Sequence, residues 1–400
     1  MNKYKCAITA TVIAEALLLS ACSTDLGPET LPSTTPPTEA TETIVETTEE
    51  TVRPETTEPA STAVVTEHIV EKYGALAIDG SKIVNSEGEQ VVLNGISSYG
   101  IQFCEEFFTE DTVKTLAEDW GCDVLRIAVS GDEVSGGYLT DSDKYFDTVC
   151  KICDMCIEQG IYVIVDWNVC YLNENDENKE EAIDFFTRIS NIYPDSPNII
   201  YEVANEAVLH EESEEEVSEW EDIIKPFVTE VINAIRTNNP ESLIIVDAPN
   251  NGKDIVTVSE SKLDYKNLAY GYRFFAGSTG DADRDKAQKA IDSGMCVFAT
   301  WGLSNDKGMG GVSVKKADKW IEFFSKNQVS WCNYAIGSNS ADDFNALRLD
   351  AEYYTDEQKA SHWPDGLLSE SGHYIREQLL KTTETAVTTE TTESTEPTEE

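Results

Sequence analysis

Positive charge is scarce in this sequence. Its 400 residues include 29 lysines and arginines against 75 aspartates and glutamates, which gives a net charge of −46 at neutral pH. A surface this acidic repels the phosphates of nucleic acids and the headgroups of anionic lipids, so we expect no nucleic acid partner. It is compatible with an uncharged partner such as a polysaccharide. The chain is 40% hydrophobic and 9% aromatic, which is ample for a core.

The N-terminus lacks an apolar run long enough to span a membrane. The run Ile8–Leu19 is interrupted by Glu15 and is shorter than the roughly 20 residues that a membrane-spanning helix needs. It follows two lysines and ends in small residues before Cys22, which is the pattern of an export signal. The ending Leu-Ser-Ala-Cys resembles a bacterial lipobox, in which Cys22 becomes the lipidated first residue. We therefore predict a lipoprotein signal peptide over residues 1–21 and a lipid anchor that holds the protein at the extracellular face of a bacterial membrane.

Apolar residues are too few near both ends of the chain to build a core. Residues 22–68 repeat threonine, glutamate and proline, and residues 382–400 have the same composition. Burial in such segments cannot offset the entropy that is lost on ordering, so both are predicted to be disordered, extended and charged. The folded unit is therefore predicted over residues 69–381, between a linker and a tail.

Ten cysteines are present, and three of them are closely spaced at Cys150, Cys153 and Cys156. This spacing superficially suits an iron–sulfur cluster. The apolar residues around them follow helical periodicity, however, which favours thiols that pack as small hydrophobes on a helix. We therefore expect no metal and no cofactor.

Strand-type and helix-type segments alternate through the predicted folded unit. A hairpin signal comes first, with turn residues at Asp79-Gly80 and Glu87-Gly88. Eight strand-type runs follow, at Val91–Ile96, Val124–Val129, Tyr162–Asp166, Ile199–Ala204, Leu243–Val246, Leu268–Phe275, Cys296–Ala299 and Val329–Ile336. Helix-period segments lie among them, at Asp111–Trp120, Ser142–Gln159, Glu180–Ile192, Glu219–Thr237, Ala282–Ser293 and Val314–Ser325, and a last one lies at Ser371–Leu380.

This alternation predicts an α/β protein with a parallel sheet. Eight repeats over this length favour a closed (β/α)8 TIM barrel, preceded by a short N-terminal β-hairpin. An open doubly wound sheet is the alternative, but no glycine-rich phosphate loop follows the first strand.

The stretch Asn198–Val208 is the strongest candidate for a functional strand end. Its apolar run ends abruptly in the polar pair Asn205-Glu206. Parallel barrels carry their active sites at the C-terminal ends of their strands, where an amide can hold a sugar hydroxyl and a carboxyl can donate a proton. The alternative is a strand that runs into a solvated loop, since the acidic run Glu211–Glu216 follows soon after.

Eight ordered motifs carry a resemblance to a known family. They are LNGISSYGIQF, DWGCDVLRIAV, GIYVIVDWN, NIIYEVANEA, YGYRFFAGSTG, VFATWGLSNDKGMGG, SWCNYAIG and LSESGHYIREQL. In this order they resemble glycoside hydrolase family 5, and most closely its bacterial endo-β-1,4-glucanase (cellulase) branch. The resemblance implies a (β/α)8 barrel and retaining hydrolysis by two glutamates, one an acid/base and the other a nucleophile. Glu206 matches the acid/base with Asn205 before it, and Arg126 matches the arginine that helps to hold the nucleophile.

The resemblance stops at the nucleophile. Alignment on Trp301-Gly302 places Thr300 where the family has its second glutamate, and no aspartate or glutamate lies between Ser293 and Asn305. Other implied cleft positions differ as well. Asn168 and Tyr99 stand in place of two histidines, Arg273 and Phe275 in place of a histidine and a tyrosine, and Tyr334 in place of a tryptophan. The predicted cleft comprises Arg126, Asn168, Asn205, Arg273, Phe275, Trp301, Tyr334 and Tyr99.

Three hypotheses follow for the function. The first is a cell-surface lipoprotein whose cellulase-like barrel binds a β-glucan-type polysaccharide with little or no hydrolysis, in effect a pseudoenzyme. Five aromatic residues are candidates either for sugar platforms or for core packing: Trp167, Trp301, Tyr334, Tyr99 and Phe103.

The second hypothesis is an active endo-β-glucanase of polysaccharide catabolism. It would use Glu206 with a non-standard second carboxylate, for which Asp166, Asp247 and Asp306 are the candidates. The third hypothesis is a structural or adhesive cell-surface protein. In each case we expect a monomer.

Overall fold

The computed structural model describes residues 68–131, 136–168, 176–205, 217–338, 343–348 and 363–393. The strands of this part, in chain order, are β1 (Ala77–Asp79), β2 (Lys82–Val84), β3 (Gln90–Val91), β4 (Asn94–Ser98), β5 (Val124–Ser130), β6 (Tyr162–Asn168), β7 (Ile199–Asn205), β8 (Ile244–Asp247), β9 (Leu268–Phe275), β10 (Val297–Gly302) and β11 (Ser330–Ile336).

The helices of the same part are α1 (Ile69–Tyr73), α2 (Ile101–Cys104), α3 (Glu110–Lys114), α4 (Ser142–Glu158), α5 (Asp176–Ile192), α6 (Lys225–Asn238), α7 (Pro249–Gly252), α8 (Ile255–Glu260), α9 (Asp281–Asp292), α10 (Val314–Asn327) and α11 (Glu370–Glu393). Wider π-type turns at Thr115–Asp119 and Glu219–Ile224 adjoin α3 and α6. Within these described ranges, no helix combines the length and the apolar character that crossing a membrane requires.

Strands β4 to β11 form a closed parallel barrel. Each pairs with the next along the chain, and β11 pairs back to β4. Helices on the outside cover the strands, so the predicted (β/α)8 TIM barrel is confirmed. Strands β1, β2 and β3 form a small antiparallel sheet. Its residues Ile83 and Val91 pack against the lower barrel interior, where Val124 of β5 and Tyr162 of β6 lie.

The first barrel strand differs from its prediction. Val91–Ile96 was expected to be one strand, but Val91 ends the small sheet and Asn94 begins the barrel. Between them, the Leu93 amide donates to the Ser330 side chain at 2.9 Å, so the chain leaves one sheet and enters the other here. The pattern of apolar residues in the sequence does not reveal that this segment passes from one sheet to another.

Side chains on β6 alternate between the two faces of the barrel wall. On β6, Tyr162 and Ile164 face the barrel interior, whereas Val163, Val165 and Trp167 face the helices. This two-residue period is the ordinary consequence of the pleated backbone. It decides which residue of each strand can reach the barrel mouth.

Two further predictions concern helices. Cys153 and Cys156 are buried on α4, as the periodicity predicted, and burial raises the pKa of both thiols. Helix α11 continues to Glu393, whereas the sequence predicted a disordered segment from residue 382. Once buried Ile375 and Leu379 fix the start of the helix, each added residue needs only one hydrogen bond to extend it.

Candidate active site

The inward-facing side chains change from apolar to charged partway up the barrel. Below the change lie residues such as Val124, Ile164 and Ile245. Above it the interior positions carry Arg126 on β5, Asp166 on β6, Glu202 on β7, Asp247 on β8 and Arg273 on β9. We call these five residues the charged layer.

Arg126 is the centre of the charged layer and is only 1% exposed. Its Nε and Nη2 donate to the two carboxylate oxygens of Glu202 at 2.6 and 2.9 Å. Nη2 also lies 2.9 Å from Asp166 Oδ2, and Nη1 donates to Ser97 Oγ at 2.9 Å. Two parallel charge-assisted bonds are the strongest geometry that a guanidinium and a carboxylate can adopt, so Arg126 is held firmly on Glu202.

A second chain of hydrogen bonds leads from Asp166 to the mouth. Asn205 Nδ2 donates to Asp166 Oδ2 at 2.9 Å, and Asn205 Oδ1 accepts from Arg273 Nη1 at 3.1 Å. The Arg273 guanidinium lies 5.4 Å from the centre of the Tyr334 ring, within cation–π range. Asn205 therefore joins two members of the charged layer, and one of them, Arg273, contacts the aromatic side of the mouth.

A backbone irregularity on β7 turns Asn205 inward. Ala204 has φ 62°, a left-handed conformation that is unfavourable for alanine, and the register shifts so that Asn168 lies opposite Asn205. Without the shift, the two-residue period from Glu202 would bring residue 204 to the interior. The strain at Ala204 is thus the structural reason that the amide reaches Asp166.

Burial sets the protonation of the charged layer. It raises the pKa of Asp166 well above the ordinary aspartate value, although Arg126 opposes this. It also raises the pKa of Asp247, with the Glu202 charge acting in the same direction. Three carboxyl groups share this interior with Arg126 and Arg273, so a proton retained on Asp166 or Asp247 relieves the excess of negative charge.

Asp247 is accommodated by a glycine on the neighbouring strand. Asp247 lies opposite Gly271 in the β8–β9 register, and a Cβ at Gly271 would overlap the Asp247 carboxylate oxygen. Gly271 therefore allows this carboxyl group to lie directly against the backbone of β9.

The β10 side of the mouth is neutral and aromatic. Thr300 lies between Arg273 on β9 and Cys332 on β11, and its side chain is 5% exposed. Gly302 lies two residues after Thr300 on β10, and the Phe275 ring packs against it. A Cβ at Gly302 would lie 2.6 Å from the Phe275 ring.

Five aromatic rings gather at this side of the mouth, and we call them the aromatic cluster. Neighbouring ring centres lie 5.0–6.2 Å apart. The Tyr334 hydroxyl donates to the Tyr99 carbonyl at 3.1 Å, which fixes these two rings relative to each other. The members of the cluster are Tyr99, Phe103, Phe275, Tyr334 and Phe344.

Most of the predicted cleft residues lie together at the C-terminal half of the barrel. They are Arg126, Asn168, Asn205, Arg273, Phe275, Thr300, Tyr334 and Tyr99. Glu206 directly follows β7 but lies outside the described residues, as does Cys22.

The predicted place of Trp301 in the cleft is wrong. Trp301 faces the helices, where it packs against Phe274, Phe324 and Trp331 and is 1% exposed. Trp167 likewise packs outside the barrel wall against Phe185 and is not a sugar platform. Both follow an inward-facing residue directly, so the two-residue period of the strand sends them to the opposite face.

Two residues of the site were missed from the sequence. Glu202 lies within an apolar run and reads as an ordinary strand residue, although its two-residue spacing from Ile200 indicates an inward position. Phe344 comes from a loop after β11, and nothing in its local sequence ties it to Phe275 or Tyr334. Asp306, a candidate second carboxylate, lies on an exposed loop beside Ser278 and not in the charged layer.

Comparisons with known proteins agree with this geometry. A family described as Cellulase (glycosyl hydrolase family 5) matches residues 84–340. Endoglucanase A of Evansella cellulosilytica is 35% identical over 295 residues, which is 73% of this chain and 57% of that protein. Endoglucanase 5 of Pectobacterium carotovorum is 32% identical over 316 residues, which is 78% of this chain and 58% of that protein. The match therefore spans less than two thirds of the length of these relatives.

Among solved structures, the catalytic domain of Thermobifida fusca endoglucanase Cel5A is similar to this chain. It superposes with a TM-score of 0.70 at 26% identity, over 78% of this chain and 100% of that domain. A variant of that domain was solved in complex with cellotetraose. The superposition covers the whole of that catalytic domain.

Proposed function

This chain belongs to glycosyl hydrolase family 5, and we propose that it is a cell-surface lipoprotein whose barrel binds a β-glucan-type polysaccharide with little or no hydrolysis. The proposal keeps the family membership and a glucan ligand, and it assigns the barrel little or no hydrolytic activity. Relatives named endoglucanases and a relative with bound cellotetraose support a glucan ligand. The extracellular location and the anchor at Cys22 are proposals that rest on the N-terminal sequence.

The observation that carries the proposal is the neutral side chain at Thr300. Retaining hydrolysis needs two carboxyl groups about 5–5.5 Å apart, which must come from separate strand ends. Glu206 after β7 would be one of them, but β10 supplies a threonine beside Arg273. A threonine hydroxyl becomes a nucleophile only with an adjacent base. Among the described residues, its neighbours on β9 and β11 are Arg273 and Cys332, and neither is a carboxylate.

The contacts of Arg126 support the same conclusion. By family resemblance, this arginine would help to hold the nucleophile. Here its guanidinium is engaged by Glu202, Asp166 and Ser97 within the barrel interior. The charged layer therefore has the properties of a structural network beneath the mouth.

The candidate second carboxylates are poorly suited to act as a base. An inverting mechanism would tolerate about 6.5–9.5 Å between carboxyl groups, but its base must be ionised at the working pH. Burial raises the pKa of Asp166 and of Asp247, which favours their protonated forms. The Asp306 carboxylate accepts from Ser278 on an exposed loop after β10.

The aromatic cluster suits sugar binding without cleavage. Phe103 is 40% exposed at the rim, and Tyr99 and Tyr334 are half-buried beside it. Exposed aromatic faces bind the apolar face of a pyranose ring, while amide and guanidinium groups such as Asn205 and Arg273 can bind its hydroxyls. This combination of an aromatic wall and a few polar groups is typical of a ligand cleft.

The test measures binding and cleavage on one preparation. We would express the full chain with Cys22→Ser, which prevents lipidation, and titrate it calorimetrically with cello-oligosaccharides and mixed-linkage β-glucan oligosaccharides. Reducing-sugar release would be measured on the same ligands, with Glu206→Gln as the control variant. The proposal expects saturable binding without release above the Glu206→Gln background.

Two outcomes would overturn the proposal. Release that depends on Glu206 would establish an active endo-β-glucanase with a non-standard second carboxylate. The absence of binding to every glycan tested would favour a structural or adhesive cell-surface protein.

A further inference from the structure

Arg273 is the most exposed member of the charged layer. The other four members are buried, whereas Arg273 is half-buried near the end of β9. A guanidinium carries five N–H donors, so this side chain can bind a protein acceptor and still donate to the hydroxyl oxygens of a sugar. Arg273 is therefore the charge of this layer that a ligand in the mouth can contact.

Three contacts hold the Arg273 side chain in place. Its Nη1 donates to Asn205 Oδ1 at 3.1 Å, and its guanidinium lies 5.4 Å from the centre of the Tyr334 ring. Gly252 of α7 packs against the stem of the side chain, so closely that a Cβ at Gly252 would lie 2.6 Å from the Arg273 Cβ. A side chain that is already held in this way loses little conformational entropy when it binds a ligand, which favours binding.

The partners of Asn205 determine the orientation of its amide. Asn205 is 1% exposed, and its Nδ2 donates to Asp166 Oδ2 at 2.9 Å. Asp166 Oδ2 also lies 2.9 Å from Arg126 Nη2, so this oxygen acts as an acceptor. The reversed amide would bring its oxygen against Asp166 Oδ2 and its NH2 group against the donors of Arg273, and both contacts would be repulsive. Asp166 therefore selects the orientation in which Asn205 presents an acceptor to Arg273.

From these contacts we propose that Asp166 is a positioning residue for ligand binding, which acts through Asn205 on Arg273. Arg273 touches the ligand, and the two residues behind it determine where its donors lie. Asp166 itself is fully buried and does not contact the ligand. The inference rests on the proposed function, because it states how the mouth presents Arg273 to a glucan.

A double-mutant cycle in binding distinguishes positioning from direct contact. Calorimetric titrations with cello-oligosaccharides would be run on the Cys22→Ser chain and, in that background, on Arg273→Met, Asn205→Leu and the double variant. Arg273→Met should weaken binding by about 3- to 10-fold, the usual effect of one hydrogen bond. Asn205→Leu should weaken binding by a comparable factor when Arg273 is present. It should have no further effect in the Arg273→Met chain, because its loss passes through Arg273.

Two substitutions that differ in one acceptor test the role of Asp166. Asp166→Ala removes the oxygen that orients Asn205, so it should also weaken binding by about 3- to 10-fold. Asp166→Asn keeps that oxygen, and its NH2 group replaces Oδ1, which has no hydrogen-bond partner among the described residues. It should therefore bind glucan as the unsubstituted chain does. Both substitutions remove the charge beside Arg126, so a difference between them reports on the acceptor alone.

A distant arginine supplies the control. Arg236 is also half-buried, but it donates to the Ser242 carbonyl just before β8, at the opposite end of the barrel. Arg236→Met should leave the affinity unchanged. A thermal melt checks that each variant folds, and Asp166→Ala with Arg273→Met forms a second cycle that replaces the first if Asn205→Leu does not fold.

The outcomes separate this inference from the proposed function. If Asn205→Leu leaves the affinity unchanged, or if its loss adds to that of Arg273→Met in the double variant, Asn205 does not act through Arg273. Equal losses in Asp166→Ala and Asp166→Asn would show that Asp166 does not act by orienting the amide. In each of these cases the inference is overturned and the proposed function stands. If the unsubstituted chain binds no glucan, the proposed function fails and this inference fails with it.

Discussion

Removal of the Glu202 carboxylate is the most direct test of the charged layer. In Glu202→Ala, the Arg126 guanidinium stays buried but loses two charge-assisted bonds, at 2.6 and 2.9 Å. Asp166 remains beside it and compensates only in part, since it also accepts from Asn205. Breaking a buried ion pair by removing one partner destabilises proteins by about 3–5 kcal/mol, because the other charge is left uncompensated.

Urea unfolding, followed by tryptophan fluorescence, measures this loss. With a slope of about 3 kcal/mol per molar, a loss of about 4 kcal/mol lowers the unfolding midpoint by roughly 1.3 M. Glu105→Ala is the control, because the Glu105–Lys144 pair has a similar separation of 2.8 Å but both side chains are 46% exposed. Exposed pairs contribute about 0–1 kcal/mol, so the midpoint of this control should hardly move.

A double-mutant cycle makes the test sharper. Arg126→Met should also destabilise the barrel, because it leaves Glu202 buried without its guanidinium partner. The double variant Arg126→Met/Glu202→Ala should lose less stability than the two single losses added together, since neither charge is then stranded. A loss below about 1 kcal/mol for Glu202→Ala, or strict additivity in the cycle, would refute the view that this pair holds the barrel interior together.

Three further predictions concern the mouth and the opposite end of the barrel. Thr300→Glu should not restore endoglucanase rates, because groups that act as a unit in catalysis are strongly non-additive; reducing-sugar release at ordinary rates would show that a single residue had been lost. Gly302→Ala should destabilise the fold by about 1–3 kcal/mol, since its Cβ would meet the Phe275 ring at 2.6 Å, and an unchanged unfolding midpoint would contradict that packing. Burial raises the pKa of Asp123 from 3.8 to about 7, so the folded state retains a proton that the unfolded state releases. The free energy of unfolding should therefore fall between about pH 3.8 and 7 relative to Asp123→Asn and then level off, and parallel pH profiles would disprove this assignment.

Much of the fold could be predicted from local sequence pattern. The alternation of strand-type and helix-type segments was sufficient for the barrel, because period 2 and period 3.6 arise from the backbone geometry of each element alone. The strand ending at Asn205 predicted a place for that residue at the C-terminal edge of the barrel, and the family resemblance placed Arg126, Arg273 and Thr300 there as well. The neutral character of the β10 position also needed no coordinates, because the absence of acidic residues between Ser293 and Asn305 is visible in the sequence.

Pairings between distant residues were decided only by closure of the barrel. Arg126 and Glu202 are 76 positions apart, and no local pattern states that one guanidinium will face that carboxylate. The inward orientation of Asn205 depends on the left-handed conformation of Ala204. The strand-type sequence around Ala204 does not indicate this conformation. Trp301 was predicted to lie in the cleft, yet the pleat turns it towards the helices. Phe344 joins the aromatic cluster from a separate loop, because tertiary packing, and not sequence proximity, determines which rings meet.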